Sequence, residues 1–482
     1  MSNKSVDTYF FDANTALETA TQQNRIQCTP RVDGLQVCYY DGKKLKNAPK
    51  NCIHVPLKKV YKYFLKTKNR FPTAINYDNT RYSDDKMKIL IEEYTTSIKS
   101  YLVDNLELIK KYQKKIKKNQ PDFSEKRLRV FIAACRQSVV MKEIYANMVK
   151  SFRELGCEVL FFTQKNDMQA CSVLPAMKAL YKFNPHITFN INHIYNEYLH
   201  KDVFNFIWFQ DKMPILTNKE PLNLRQRDFI FTLIYGLKQD LIQKGYENIH
   251  CKIQSFCIDT DIYKCRKKIK RKEKIVFIGS SYKAAFDAVP ISKTLKLQIL
   301  YELLEIYIRK GPLSIQRKED FFIKYQLDER IHLGHITNYI ERDMMIKEII
   351  KLNLDLDFEL YGYGWDEDEK LKFYNKGVLK YGKDISKVYN SAKYSLIVGG
   401  YVMQQRTLES SSSGSIPVVL DVRHNDADYN KNFDQSMIFF RTPRELTKLL
   451  KNTKKYNFDS LVNSHSYAAF AEKTLTIVER NL

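Results

Sequence analysis

Apolar residues fall along this chain in short unbroken runs, separated by turn residues and by stretches with helical spacing. Arg127-Leu128-Arg129-Val130-Phe131-Ile132-Ala133-Ala134 holds one run and Glu158-Val159-Leu160-Phe161-Phe162 the next. Between them, residues 141–155 put Ile144, Met148 and Phe152 four apart, on one face of a helix, and Gly156 ends that helix. Strand, helix and strand in this order form a βαβ unit and predict a parallel sheet. Residues 205–211 form a later strand that ends in an acid, and 228–232 and 245–249 the last strands of this series. A second series opens at Lys274-Ile275-Val276-Phe277-Ile278-Gly279-Ser280-Ser281 and continues through 357–361, 394–398 and 416–420. The pattern predicts an α/β protein with two Rossmann-like domains in tandem.

The flanks read differently. Residues 32–42 suit two short strands or one strand with turns. Residues 83–118 have few helix breakers, with apolar positions at Ile89, Ile91, Tyr94, Ile98, Tyr101, Leu102, Leu106 and Ile109. One long helix or two antiparallel ones satisfy that pattern equally. Further helices are expected at 295–308, 339–351, 444–451 and 459–479. The boundaries that follow are a partly helical N-terminal extension over 1–125, one Rossmann-like domain over 126–270, a second over 271–450 and a helical tail over 451–482.

One stretch carries more chemistry than the rest. Gln405-Arg406-Thr407-Leu408-Glu409-Ser410-Ser411-Ser412-Ser413-Gly414-Ser415-Ile416-Pro417-Val418-Val419-Leu420-Asp421 reads as a short helix, a glycine turn and a buried strand. Gly414 supplies the permissive backbone that ends the helix. The helix start would aim free backbone N–H groups at an anion. One turn further in, the Glu409 carboxylate can accept hydrogen bonds from a ribose diol. Together these would hold a nucleoside diphosphate, although an ordinary αβ unit with a surface glutamate has the same spacing.

Composition narrows the class. The chain has 482 residues, 44% of them apolar, enough for two or three globular domains. No apolar run is long enough to cross a bilayer, and residues 1–19 lack the apolar core of a signal peptide, so the expected compartment is the cytoplasm. Nine cysteines are scattered without a Cys-x-x-Cys pair. Cys251, Cys257 and Cys265 lie near His250 with gaps that fit no common zinc framework, so reduced thiols are expected. The net charge is +24. Frequent Lys, Asn, Tyr and Ile match the codon bias of an AT-rich genome, which accounts for part of that charge. The remainder would attract a nucleotide sugar, an acidic acceptor, the inner membrane surface or nucleic acid. The basic runs at 110–118 and 264–274 fall at expected boundaries and suit solvated helix ends or linkers.

The order of segments in the second series resembles the C-terminal domain of GT-B glycosyltransferases, and more closely the bacterial group named after the spore-maturation protein CgeB. The resemblance runs over residues 274–425. It rests on the strand ending in Gly362-Tyr363-Gly364-Trp365, the Gly377-Val378-Leu379 segment, the helix carrying Tyr389 and Ala392, and the Arg406–Glu409 and Gly414–Val418 stretch. It implies two domains facing a cleft, one for acceptor and one for donor. It also implies that Glu409 binds the ribose hydroxyls while Arg406 and the backbone at Thr407 face the diphosphate. Gly279, Ser280, Ser281 and Tyr282 end the first strand of the donor domain, where ligands of open sheets gather. Gly362, Tyr363, Gly364 and Trp365 end another, and an aromatic ring there would stack on the base. The final helix of such proteins commonly returns to the N-terminal domain. One departure stands out. Large retaining families carry Glu-x7-Glu, and eight residues before Glu409 this chain has Tyr401. Stereochemistry is therefore left open.

An inverting transferase needs a general base near the acceptor hydroxyl. His193 and Asp211, each following an expected strand, are the catalytic candidates, with His186 a third. Asp-x-Asp pairs at 259–261, 355–357 and 426–428 sit in no metal-binding context, so no metal and no cofactor beyond the nucleotide-sugar co-substrate are expected. The expected acceptors are a glycan, a lipid-linked glycan or a protein, with peripheral contact to an anionic membrane surface. A nucleotide-sugar epimerase on the same fold and a non-catalytic nucleic-acid-binding protein are the rival readings. The first lacks a convincing set of acid/base groups, and the second lacks an interleaved basic and aromatic motif.

Overall fold

The computed structural model of the chain describes residues 7–26, 36–56, 59, 63, 72, 74–76, 84–134, 139–164, 173–218, 220–246, 251–327, 329–425, 429–451 and 454–482. The chain divides into two compact units, Met1–Trp208 with Leu222–Phe229 and Phe209–Pro221 with Ile230–Leu482. Among the described residues no helix is long and apolar enough to cross a membrane.

The first unit begins with a small four-stranded sheet: β1 (Thr8–Phe10), β2 (Cys38–Tyr40), β3 (Cys52–His54) and β4 (Ala74–Asn76), in the order β3-β2-β1-β4 and parallel throughout. Helix α1 (Ala13–Ile26) covers one face through Ala16 and Ala20, which pack on Phe10, Cys38 and Tyr40. A partly helical extension was expected here, with strand within 32–42; β2 lies in that stretch, and the other three strands are new. Each strand is only three residues long, too short to print a period of two on the sequence. Residues 27–35, which hold part of the expected 32–42 strands, lie outside the described residues. A single 35-residue helix, α2 (Asp84–Lys118), follows, which resolves the choice between one helix and two.

A six-stranded sheet contains β5 (Arg129–Ala133), β6 (Glu158–Phe162), β7 (Ile187–Ile191), β8 (Phe204–Phe209), β9 (Asp228–Thr232) and β10 (Cys251–Ile253) in the order β10-β9-β8-β7-β5-β6. Its β5–β6, β5–β7, β7–β8 and β9–β10 pairs are parallel. Helices α3 (Val139–Glu154) and α4 (Val173–Phe183) make the crossovers around β6. Of the expected strand over 245–249, residues 247–249 lie outside the described residues and Gly245 takes φ 82° just after a helix; the described strand that follows is Cys251–Ile253.

The second unit holds a five-stranded parallel sheet: β11 (Lys272–Ile278), β12 (Asp357–Tyr361), β13 (Ala392–Ile397), β14 (Ile416–Leu420) and β15 (Ile438–Phe440), in the order β12-β11-β13-β14-β15. Alternate residues of β11 enter separate cores: Ile275 and Phe277 pack on one face, Val276 and Ile278 on the other. A strand covered on both sides must be apolar throughout, which is why the sequence shows an unbroken run. Helix α5 (Lys293–Lys310) starts on Ser292, whose hydroxyl accepts from Leu295 N at 3.2 Å, and ends at Gly311. Helix α6 (Glu329–Tyr339) runs into a π turn over Ile340–Met344 and continues as Met345–Ile350. Helix α7 (Lys383–Ser391) precedes β13, and α8 (Gln405–Ser412) precedes β14. Helix α9 (Tyr467–Glu479) returns to β9 and β10: Phe470 meets Phe231 edge to face at 4.9 Å, and Lys473 Nζ reaches Gln254 Oε1 at 3.2 Å. The fold class read from the sequence, α/β with two Rossmann-like parallel sheets, is the one observed.

Candidate functional site

In both sheets the chain reverses its direction of winding once. In the five-stranded sheet this happens between β11 and β13, and ligands of open α/β sheets bind outside the carboxyl ends of the strands at such a point. The segments leaving those two ends are Gly279–Tyr282 and the loop from Val398 to α8.

Two glycines let the first of these segments meet the end of β12. Gly362 has φ 144°, and a Cβ on it would lie 2.3 Å from Gly279 O, so no other residue fits. Gly279 N donates to Tyr361 O at 2.8 Å, Ser281 N to Tyr363 O at 2.9 Å and Tyr363 N to Ser280 Oγ at 3.3 Å. Gly279, Ser280, Ser281, Tyr282, Gly362, Tyr363 and Gly364 are thus brought together. Trp365 is placed differently. Its indole is fully buried against Phe277, and its Nε1 donates to Gly279 O at 2.8 Å. A ring with no free face cannot stack on a base, so the stacking expected of Trp365 is withdrawn. The indole pins the strand ends instead.

The π turn brings two residues that sequence reasoning missed. Arg342 Nη1 donates to Ser280 O at 2.9 Å, and its guanidinium lies 4.1 Å above the Tyr282 ring. Asp343 accepts from Ser281 Oγ and, at 3.0 Å, from Tyr282 N. Burial pushes the Asp343 carboxyl up to about 6, against the opposing pull of those hydrogen bonds. Glu341, just before them, is used elsewhere: it pairs with Lys318 at 2.5 Å and accepts from Tyr307 Oη at 2.7 Å. π turns recur at functional sites because the extra residue re-aims its neighbours. The only trace in the sequence is the run of three consecutive charged residues, Glu341-Arg342-Asp343, between apolar neighbours Ile340 and Met344.

Helix α8 carries the other half. Gly414 has φ 81°, and a Cβ there would lie 2.2 Å from Arg271 Nη2, so both its backbone and its neighbour require glycine. Gln404 provides no side-chain cap, and its backbone carbonyl accepts from Thr407 N at 3.0 Å. Thr407 is buried, with its hydroxyl donating to Val402 O at 2.8 Å, so the expected diphosphate contact through its backbone would have to displace the bond to Gln404 O. Arg406 forms an ion pair with Glu409 one turn later. Glu409 is fully buried, while about a third of the Arg406 side chain is exposed above it. Burial raises the Glu409 carboxyl above its usual range, and the Arg406 guanidinium opposes that shift. Burial works to lower Arg406, and the Glu409 charge overrides it. Tyr263, Tyr381 and Tyr389 enclose the pair, and burial followed by the Glu409 charge lifts the first two phenols. Neither Glu409 Oε1 nor Tyr263 Oη makes a hydrogen bond of ordinary geometry among the described residues, although the two feel each other electrostatically. The Tyr263 and Tyr381 phenols both bear on the carboxylate as donors, so a ligand hydroxyl reaching Glu409 would compete with them.

Tyr401 occupies the position where retaining families carry an acid. Its ring stacks on Phe256 at 6.4 Å. Burial pushes its phenol up to about 12, with smaller contributions from Tyr282 and Asp211. It is a neutral hydroxyl at physiological pH.

In the first unit, His193 follows β7 at the point where that sheet reverses. Its ring is exposed and stacks on Tyr195 at 4.9 Å, and partial desolvation lowers its pKa. The loop is held in left-handed backbone at Asn192 (φ 62°) and Tyr195 (φ 48°). Beneath it lies a buried polar network that sequence reasoning also missed. Asn205 Oδ1 accepts from Thr188 and Asn190 at 2.8 Å, and Asn205 Nδ2 donates to Ile194 O and to Asp228. Asp228 also accepts from Asn196 at 2.6 Å and from the Arg225 guanidinium at 2.7 Å. Asp211, which falls in the second unit, is exposed in the bend after β8. His186 is not available for chemistry. It is fully buried, Arg129 N donates to its Nδ1 at 2.8 Å, and its Nε2 is 2.6 Å from Asp122 O. It clamps the start of β7.

Among the described residues, no group of three His, Cys, Asp or Glu could hold a metal ion. Asp259 caps a turn by accepting from Asp261 N at 2.9 Å, and 426–428 lie outside the described residues.

No family model matches the chain, and no curated protein matches it in sequence. Among solved structures it is similar to AviGT4, a glycosyltransferase involved in avilamycin A biosynthesis, at 10% identity over 73% of this chain and 97% of that one, with a TM-score of 0.44. Sucrose-phosphate synthase of Thermosynechococcus elongatus is 8% identical over 73% of this chain and 99% of its own, with a TM-score of 0.45. Anabaena HepE in complex with UDP and glucose is 10% identical over 74% of this chain and 100% of its own, with a TM-score of 0.38. At this identity and overlap, none of them speaks to the chemistry of this chain.

Proposed function

We propose that the chain is a GT-B glycosyltransferase, in the manner of the CgeB-like group, that moves a sugar from a nucleotide-activated donor to a hydroxyl of a glycan, lipid-linked glycan or protein. The observation that carries this reading is the Arg406–Glu409 pair on α8, at the point where the second sheet reverses. It combines a part-exposed cation, a helix start without a side-chain cap and a buried carboxylate with one oxygen that lacks a well-formed hydrogen bond.

The roles follow from charge and reach. A nucleoside diphosphate at this point meets Arg406 and the first-turn N–H groups, which neutralise the charge that builds on it as the sugar leaves. As Arg406 moves to the diphosphate, it uncovers Glu409 for the ribose diol. Arg342 adds a second guanidinium beside Ser280 and Tyr282. Two arginines and a helix start suffice without a metal, so turnover is expected to survive chelation. His193, neutral because its pKa is lowered, can take the proton of the acceptor hydroxyl, and Asp211 is the alternative base.

Calorimetry against nucleoside diphosphates and nucleotide sugars, on the wild type and on Glu409→Ala, tests the site. Equal binding by both proteins removes Glu409 from it. Product analysis with donor alone separates transfer from epimerisation, and a salt-steep affinity for nucleic acid without nucleotide-sugar binding would favour the non-catalytic reading.

A further inference from the structure

Helix α2 has one side that packs and one that does not. On the packed side Ile109, Tyr112 and Ile116 join Met177 and Leu180 of α4. About a quarter turn round the helix and nearer its start, Leu102, Val103 and Leu106 are 48%, 54% and 55% exposed. At about 100° per residue these three fall within roughly one quadrant of the helix surface. Lys99 lies on the same face one turn before them, and Lys110, Lys114 and Lys117 lie on it in the turns after. Over residues 99–118 seven lysines are set against two acids, Asp104 and Glu107. The result is an exposed aliphatic patch bracketed by cations on a rigid rod.

We infer that this face of α2 docks the chain on an anionic lipid surface. The three aliphatic side chains would enter the boundary between headgroups and acyl chains. The lysines would lay their stems along it and leave their ammonium groups among the headgroup phosphates. A second copy of the chain suits the patch poorly. Three half-exposed side chains fall far short of the ~800 Å² per partner of a stable interface, and two lysine-rich faces repel. Nucleic acid suits it poorly as well. The face carries no aromatic ring to stack on bases, and an apolar patch gains nothing from a phosphate backbone. An anionic bilayer is the partner that uses both the charge and the apolar surface.

The full-length chain is to be floated with vesicles of phosphatidylcholine alone and with vesicles in which about a third of the lipid is phosphatidylglycerol. Binding is expected only to the second, and it should weaken steeply with salt. Each lysine near such a surface contributes about fivefold, so K110Q/K114Q/K117Q should lower partitioning about a hundredfold. L102S/V103S/L106S should lower it about tenfold, with an unchanged melting temperature, because these side chains already face solvent. Equal binding to both vesicle types, or to neither, overturns the inference. So does vesicle binding that ignores the aliphatic substitutions, since any basic helix would give it. Dimerisation abolished by L102S/V103S/L106S without vesicle binding, or lysine-dependent binding of duplex nucleic acid without vesicle binding, overturns it in favour of those partners.

Discussion

The His193 loop of the first unit and the Arg406–Glu409 centre of the second both rest on buried polar groups, and the two are finished differently. Beneath His193, both oxygens of Asp228 and both polar atoms of the Asn205 side chain have partners. Around Glu409, one carboxylate oxygen and the Tyr263 hydroxyl are sealed from water without a good hydrogen bond. A satisfied network holds a shape; a less well satisfied one leaves a ligand room to compete. The comparison assigns positioning to Asp228 and binding to Glu409, and each assignment can be broken.

The largest effect is expected at the residue the first network supports. If His193 or Asp211 takes the acceptor proton, removing it should lower kcat about a hundredfold to ten-thousandfold while nucleotide affinity stays near normal. His193→Ala and Asp211→Asn are to be assayed side by side. Near-normal turnover in both would leave neither as the base. Tyr401, in the place of the missing acid, would then be the next group to test.

Asp228→Ala should destabilise the protein by about 3–5 kcal/mol, because it removes the carboxylate that Arg225 pairs with and strips acceptors from Asn196 and Asn205. Urea unfolding measures this. A loss below about 1 kcal/mol would mean that the network under His193 is ornamental, and the contrast with Glu409 would lose its first half.

Asp343 sharpens the contrast from a third side. Its folded pKa of about 6 lies above its ordinary value of 3.8. The stability linked to that raised value is fully present below about pH 4 and is lost as pH rises through about 6, since the buried carboxyl must then ionise. Asp343→Asn should abolish this step, making the variant relatively more stable at pH 8 than at pH 4 by about 2–3 kcal/mol. Parallel unfolding curves for the two proteins at both pH values would show that the carboxyl ionises freely.

Glu409→Ala should weaken binding of the preferred nucleoside diphosphate about ten- to a hundredfold, the worth of about 1.5–3 kcal/mol for a hydrogen bond to a charged group. The fold should tolerate the change less well than a surface substitution, since Arg406 loses its partner. The variant's unfolding curve therefore has to accompany the titration. Lost affinity in a protein that still unfolds cooperatively assigns the effect to the site.

Much of this architecture was legible in the sequence. Most strands of the two larger sheets carry short apolar runs such as Val130–Ala133 and Ile275–Ile278, and Gly414 was read as a permissive turn and has φ 81°. What was not legible depends on distance or direction. The three-residue strands of the small sheet are fixed only by their neighbours. Tyr263 and Tyr381 reach Glu409 from far along the chain, and no local pattern marks them. Asp228 looked like an ordinary strand start. The π turn at Ile340–Met344 shifts by one residue which side chains face Ser280, and a 3.6-residue periodicity cannot show that shift.

Trp365 is the instructive miss, and it yields the last and smallest prediction. A turn aromatic at the carboxyl end of a strand has the same sequence whether it stacks on a ligand or turns inward. Here it turns inward, and its Nε1 bonds Gly279 O at 2.8 Å. Trp365→Phe should therefore cost about 1–2 kcal/mol of stability, from one lost neutral hydrogen bond and a slightly underfilled core. Nucleotide affinity should change by less than about twofold. A base stacked on the ring would be worth about 1–3 kcal/mol, close to a tenfold loss or more on its removal. The two roles therefore differ in which measurement moves. A loss of nucleotide binding without a loss of stability would return Trp365 to the donor site and would mean that the ring swings out when the ligand arrives.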